Sequence, residues 1–244
     1  MTRLFPTSFA AVFVLACAQA APSDQAVVAA MKVVESSNYT WTRSVPSEGR
    51  ALAVQEGKTE TRGYSIITFV EPQSSMLRQI ARLNDGVALA VFKGEDNFVF
   101  QTSDGWKTGT ELPLGPRRRR GGGGGTDYWI SVQVPHEELE VIVGSYTEMH
   151  EVKGGVAGTL SEDGARQLLG SVKSPAVQAT GTFIFAVVDD ALRGYRLDLT
   201  GTVLSGPPGE EKETPTRRVL VTEIKNIGHT IVDVADEAKI KLSP

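Results

Sequence analysis

Val27, Met31 and Val34 recur at i, i+4 and i+7 behind Ser23 and Asp24, both good N-cap residues, and this stripe predicts a short amphipathic helix ending near Glu35. Ser36, Ser37 and Asn38 break it, and from Tyr39 onward the period changes. Strand-like runs follow over residues 58–69, 87–92, 98–102, 152–160, 180–188, 192–203 and 219–227, with turn-forming residues between them. The clearest is a pair around Asp189-Asp190. Phe183, Phe185 and Val187 alternate on one side of that turn and Tyr195, Leu197 and Leu199 on the other, with Arg196, Asp198 and Thr200 interleaved. Such period-two alternation predicts a hairpin with one buried and one wet face.

Two further helices are expected. Residues 135–146 open with Pro135 and place Glu137 and Glu138 in the first turn, where the helix macrodipole favours negative charge. Residues 161–170 open with Ser161 as a cap and close on Gly170. Residues 236–242 predict one or two more helical turns at the end of the chain. Neither of two polar linkers splits the chain, since strands of similar character lie on both sides. One, at about residues 115–126, runs from Gly115-Pro116 through Arg117, Arg118, Arg119 and Arg120 into five glycines and reads as a mobile loop; the other, 206–216, is Pro-rich and charged and reads as an exposed excursion.

The first twenty residues have a different texture. Arg3 supplies a positive start, residues 9–16 a short apolar stretch, and Ala18-Gln19-Ala20 the small-x-small spacing of a signal-peptidase site. The expected organisation is therefore a signal peptide over 1–20 and a single domain over 21–244, located in the periplasm or secreted. A second processing route stays open, because Val14-Leu15-Ala16-Cys17 resembles a bacterial lipobox and would anchor the chain through a lipidated Cys17. The apolar stretch falls short of the roughly 20 residues a membrane-spanning helix needs. Cleavage after Ala20 would remove the chain's single cysteine, leaving no disulfide and no thiolate for metal or nucleophilic chemistry.

Composition and motifs narrow the function by exclusion. A net charge of -4 over 244 residues disfavours a general nucleic-acid binder, and no nucleic-acid partner is expected. Gly57-Lys58-Thr59 lacks the glycine five positions upstream that a phosphate-binding loop requires, since Leu52 stands there, and the pentaglycine run meets Thr126 where a dinucleotide fingerprint needs glycine. There is no Gly-x-Ser-x-Gly elbow. His136, His150 and His229 have no metal-like spacing and read as surface residues; Glu137-Glu138, Asp189-Asp190 and Glu210-Glu211 read as a helix start, a hairpin turn and a solvated linker. No catalytic residue, metal ligand or cofactor is expected. The arginines 117–120 are candidates for weak contact with an anionic membrane surface, at about 1 kcal/mol per cation. Trp41, Trp106 and Trp129 fall in or near strands and read as core or rim packing.

The order of elements, with Asp104-Gly105-Trp106-Lys107-Thr108, then residues 180–201 (TGTFIFAVVDDALRGYRLDLTG) and 221–242 (VTEIKNIGHTIVDVADEAKIKL), resembles the LolA-like superfamily of bacterial periplasmic carriers, which includes LolA, LolB and the LppX/LprG lipoproteins. The resemblance spans most of the chain after residue 20, through motifs of low specificity. It implies an α+β fold: a strongly curved antiparallel sheet, an unclosed half-barrel, with a few short helices covering its concave face around a cavity for acyl chains. Burying a sixteen-carbon chain is worth roughly 12 kcal/mol, so such a carrier needs a shielded cavity and a lid rather than a catalytic group. Phe98, Phe100, Phe183, Phe185, Tyr195 and Leu197 are the candidate ligand-lining residues and equally the best core candidates. In LolA an arginine is associated with holding the lid closed; Arg43 and Arg62 both fall on predicted strands here, but their surroundings do not match well enough to carry that role over. The reading that results is a monomeric, non-enzymatic, exported binder of a lipid or acylated ligand. The alternative is a structural or protein-interaction module of the cell envelope whose core is filled.

Overall fold

The computed structural model describes residues 21–47, 50–70, 75–94, 97–112, 132–171, 174–206 and 210–243. Helix α1 (Pro22–Val34) leads into β1 (Asn38–Ser47), β2 (Arg50–Glu60) and β3 (Ser65–Phe69). Helix α2 (Ser75–Arg82) and the strands β4 (Ala88–Phe92), β5 (Phe98–Thr102) and β6 (Gly105–Thr108) follow. Helix α3 (Pro135–Ser145) runs directly into β7 (Tyr146–Val152), then β8 (Gly155–Leu160), α4 (Glu162–Leu169), β9 (Ala176–Val188), β10 (Ala191–Ser205), β11 (Lys212–Lys225) and α5 (Asp236–Lys241).

All eleven strands form one sheet, in the order β6-β5-β4-β3-β2-β1-β11-β10-β9-β8-β7. Each neighbouring pair is antiparallel. The expected architecture, an unclosed antiparallel half-barrel of the α+β class, is the one that forms. Two meanders, one from each half of the chain, meet where β1 pairs with β11, and β6 and β7 are left as opposite edges.

Register fixes which side chains look inward. Along β1, Tyr39, Trp41 and Arg43 are buried while Thr40, Thr42 and Ser44 are half-buried, and the ladder carries that face across to Thr222 and Ile224 on β11 and Tyr195 and Leu197 on β10. It continues to Phe183 and Phe185 on β9, and in the other direction to Ile67 on β3, Ala90 on β4 and Phe100 on β5. These inward residues join Ala30 and Val33 of α1, Ile80 of α2, Leu139 and Ile142 of α3 and Leu168 of α4 in one continuous buried cluster, so the sheet bends around a helical cover. At about 25 cal/mol per Å² of apolar surface removed from water, this layer is the main source of stability.

One helix lies elsewhere. Val91, Val99 and Trp106 point to the outer face of β4–β6, where Ala238 of α5, with Val234 and Leu242 flanking it, forms a second small cluster. Lys241 reaches Glu111 at 2.7 Å and Asn97 donates to the Leu242 carbonyl, which ties the C-terminal segment to that end of the sheet.

Several sequence expectations shift at this level. The run 58–69 is two strands, because residues 61–64 turn the chain, and Arg62 is an exposed turn residue rather than a strand residue. Helix α1 starts at Pro22 with Ala21 as its N-cap instead of Ser23 or Asp24, since the fixed φ of proline suits the first helical position. The excursion expected over 206–216 is half strand: Lys212 to Thr216 pair with Ser205 to Gly201 while staying mostly exposed. The hairpin at Asp189-Asp190 stands as expected, with both aspartates at positive φ (52° and 57°), the backbone of the tight turn that suits strand twist.

Candidate functional site

β6 and β7 lie at opposite edges of the sheet, and α3, which leads into β7, packs on the sheet's inner face. Pro135 fills its first turn, the Glu137 carboxylate accepts from the Val134 N–H at its start, and Pro135, Glu138, Leu139 and Ile142 form its buried stripe. Glu138 is the one charged member, 1% exposed, and it points at the centre of the sheet.

What it meets there is a polar patch on an otherwise apolar inner face. Arg43 of β1, 2% exposed, donates from Nη2 to Glu138 Oε2 at 2.7 Å, and from Nη1 to Gln55 Oε1 and the Gln133 carbonyl at 3.2 and 3.1 Å. The Tyr195 hydroxyl of β10 donates to the same Oε2. Arg218 of β11 lies 3.7 Å from Glu138 Oε1 and also donates to the Leu168 carbonyl, joining α3 to the last turn of α4. The Arg43 guanidinium sits 5.2 Å from the Trp41 ring centroid. Glu138 Oε1 and Arg43 Nε have no hydrogen-bond partner.

Electrostatics follows from this burial. Desolvation is the largest single influence on Arg43 and would depress its pKa, but the Glu138 charge, with Tyr195 and Tyr39 adding to it, outweighs it in sum and holds the guanidinium above its ordinary value. Burial, then the Glu138 charge, push the Tyr195 hydroxyl well up, so it stays protonated and donating. Helix α3 is therefore held to the sheet by one desolvated ion pair with three strands behind it, a link that is strong while water is excluded and weak once water enters.

A second link sits at the start of α3. The Tyr39 hydroxyl accepts from the His136 backbone N–H at 3.0 Å and lies within hydrogen-bond reach of His136 Nδ1, at 2.8 Å. Burial lowers the His136 pKa to about 4. His136 is thus half-buried and bonded, which corrects its reading as a surface residue; His150 and His229 are exposed, as expected. A histidine with its folded pKa depressed contributes stability that is complete above about 6.5 and is lost as the pH falls from there towards 4. The expected loss over that window is at most about 3 kcal/mol. Unfolding curves between pH 7 and 4 check it: a His136→Asn variant should show a shallower decline than wild type.

The six residues expected to line a ligand cavity divide in two. Phe183 and Phe185 stack at 4.8 Å between centroids on β9, beside Tyr195 and Leu197 of β10, all of them buried. Phe98 and Phe100 pack against each other at 5.4 Å on β5, with Phe100 buried and Phe98 half-buried. Of the six, Tyr195 also belongs to the polar patch. Arg117, Arg118, Arg119, Arg120 and Trp129 lie outside the described residues, while Trp41 and Trp106 are buried as expected. Among the described residues no group of three or more His, Cys, Asp and Glu could hold a metal ion, and no helix is long and apolar enough to cross a membrane.

No family model and no curated protein matches the chain. A solved structure does. That of LprF from Mycobacterium bovis overlays with 9% identity and a TM-score of 0.42, covering 89% of this chain and 98% of that one. An overlay of that quality decides nothing about this chain's chemistry.

Three members of the site were not picked out as site residues by the sequence reading: Arg218 of β11, and the pair Arg43 and Glu138. The pair carried a signal: Arg43 continues the inward phase of Tyr39 and Trp41, and Glu138 falls on the same stripe as Leu139 and Ile142. A charge on a buried phase must have a partner, and here each is the other's.

Proposed function

We propose that the protein is an exported, non-catalytic binder of a lipid or other hydrophobic ligand, and serves as a carrier in bacterial envelope lipid or lipoprotein traffic. The observation that carries this reading is the attachment of α3. A helix that packs on the inner, apolar face of an open sheet is fixed there by the Arg43–Glu138 pair rather than by apolar contacts alone. An ion pair of this kind is lost as a unit when the helix lifts and water reaches it, which makes α3 a hinged cover. Phe183, Phe185, Tyr195 and Leu197, with Phe98 and Phe100 nearer the other edge, then face the ligand. The N-terminal export signal and the arginines 117–120, as a weak contact with anionic membrane, complete the reading.

The test is native mass spectrometry of the purified protein, with and without added lipid. Adducts that disappear on solvent extraction are the expected result. A bare polypeptide that takes up no added lipid would end the carrier reading.

A second reading is favoured by a different observation. Trp41 covers Gly57 and Phe183 covers Gly158 on the inner face, so closely that a Cβ on either glycine would collide with the ring. Aromatic side chains therefore occupy space at both places, as they would in a structural or interaction module with a filled interior. The same measurement separates the two readings.

A further inference from the structure

The polar patch is not charge-balanced. Arg43 and Arg218 both face Glu138, His136 next to it is neutral well below pH 6.5, and Glu137 is engaged at the start of α3. Two guanidinium groups thus meet one carboxylate, and the Tyr195 hydroxyl adds a third donor aimed at the same oxygen. Arg43 Nε, on a side chain 2% exposed, is a donor with no partner, while Glu138 Oε1 is 3.7 Å from Arg218 and has no hydrogen bond. The donors outnumber what the carboxylate uses.

On the reading of α3 as a removable cover, which this inference rests on, we infer that Arg43, Arg218 and Tyr195 form a binding site for the oxyanion head of an acyl-chain ligand, and that Glu138 occupies it as an internal surrogate when α3 is closed. The geometry argues for this in three steps. Lifting α3 takes Glu138 away but leaves all three donors behind, because they stand on β1, β11 and β10 of the sheet. With α3 lifted, two guanidinium groups face the opened space with no anion between them, so a ligand that brings one is favoured over one that does not. A carboxylate or phosphate suits the forked donors of arginine, whereas an alcohol or neutral ester does not. The apolar row formed by Leu197, Phe183 and Phe185 lies beside Tyr195 on the same face, where the chain of such an amphiphile would run.

Binding of palmitate, hexadecanol and acetate to the full chain tests this, with titration calorimetry as the readout. Palmitate should bind at least about tenfold more tightly than hexadecanol, and acetate not measurably, since the head alone lacks the chain's contribution. Glu138→Gln removes the competing charge while keeping an acceptor for Arg43, and should tighten palmitate severalfold more than hexadecanol, which gains only from the weaker hold on α3. Arg218→Gln, at a position 31% exposed, should weaken palmitate at least about tenfold and hexadecanol far less. Equal affinity for palmitate and hexadecanol, or an Arg218→Gln variant that loses neither, overturns the oxyanion site while the carrier reading stands. Binding of acetate as strong as that of palmitate would overturn it too, as it would make the site one for small anions. If neither long-chain probe binds, both readings fall together.

Discussion

Glu138→Ala is expected to lower the unfolding free energy by about 3–5 kcal/mol, the range for leaving one member of a buried ion pair without its partner. Arg43 would remain 2% exposed with only Gln55 Oε1 and the Gln133 carbonyl, both neutral, as acceptors, and the Tyr195 hydroxyl would lose its carboxylate. Denaturant unfolding followed by tryptophan fluorescence reads this directly, because Trp41 lies under the Arg43 guanidinium. The double variant Arg43→Met, Glu138→Leu should recover most of the loss, since two matched apolar side chains avoid the desolvation cost of the charges. A single Glu138→Ala variant with a wild-type midpoint would mean that Arg43 finds water readily, and the link between α3 and the sheet would then be no latch.

How far this could be read in advance differs from element to element. The β9–β10 hairpin was legible because its two faces differ sharply: Phe183, Phe185, Tyr195 and Leu197 inside, Arg196 and Asp198 outside. Helix α4 was legible through its cap, and Ser161 Oγ does accept from the Gly164 N–H at 3.2 Å. Strand β7 was not, because it is an edge strand whose residues are mostly exposed on both faces, so there is no alternation to see. Helix α2 was missed although Met76, Leu77, Ile80 and Ala81 make a buried helical stripe; its eight residues give the pattern barely two turns. The pairing of β1 with β11, which builds the centre of the sheet and brings Arg43 close to Arg218, is a long-range fact with no local signature. The site is a product of that pairing. Glu137 and Glu138 look alike in sequence, yet one caps α3 and the other turns inward, a difference set only by the helix phase relative to a sheet that sequence does not place.

The same centre of the sheet supplies the second large effect. Trp41→Ala is expected to cost about 3–5 kcal/mol, as for other large-to-small changes of buried aromatics. Trp41 is 1% exposed, donates from Nε1 to Thr59 Oγ1 at 3.0 Å, and lies flat over Gly57, its direct cross-strand partner on β2. Gly57→Val in the wild-type background should cost about 2–3 kcal/mol, because the new side chain enters space the indole already fills and β2 must shift to admit it. Placed on Trp41→Ala, the same Gly57→Val should instead raise stability, since valine then fills part of the hole and suits a strand better than glycine does. The coupling in this double-mutant cycle is thus opposite in sign to a simple sum, and unfolding midpoints of the four proteins measure it. Additive costs would show that the indole does not fill the inner face there. The cycle also bears on function, because the hole left by Trp41→Ala lies next to Arg43. If the interior accepts an acyl chain, saturating palmitate should raise the midpoint of Trp41→Ala at least as much as that of wild type, by mass action on a folded state that binds it. If the core is a closed aromatic packing with no guest, palmitate should leave both midpoints where they were.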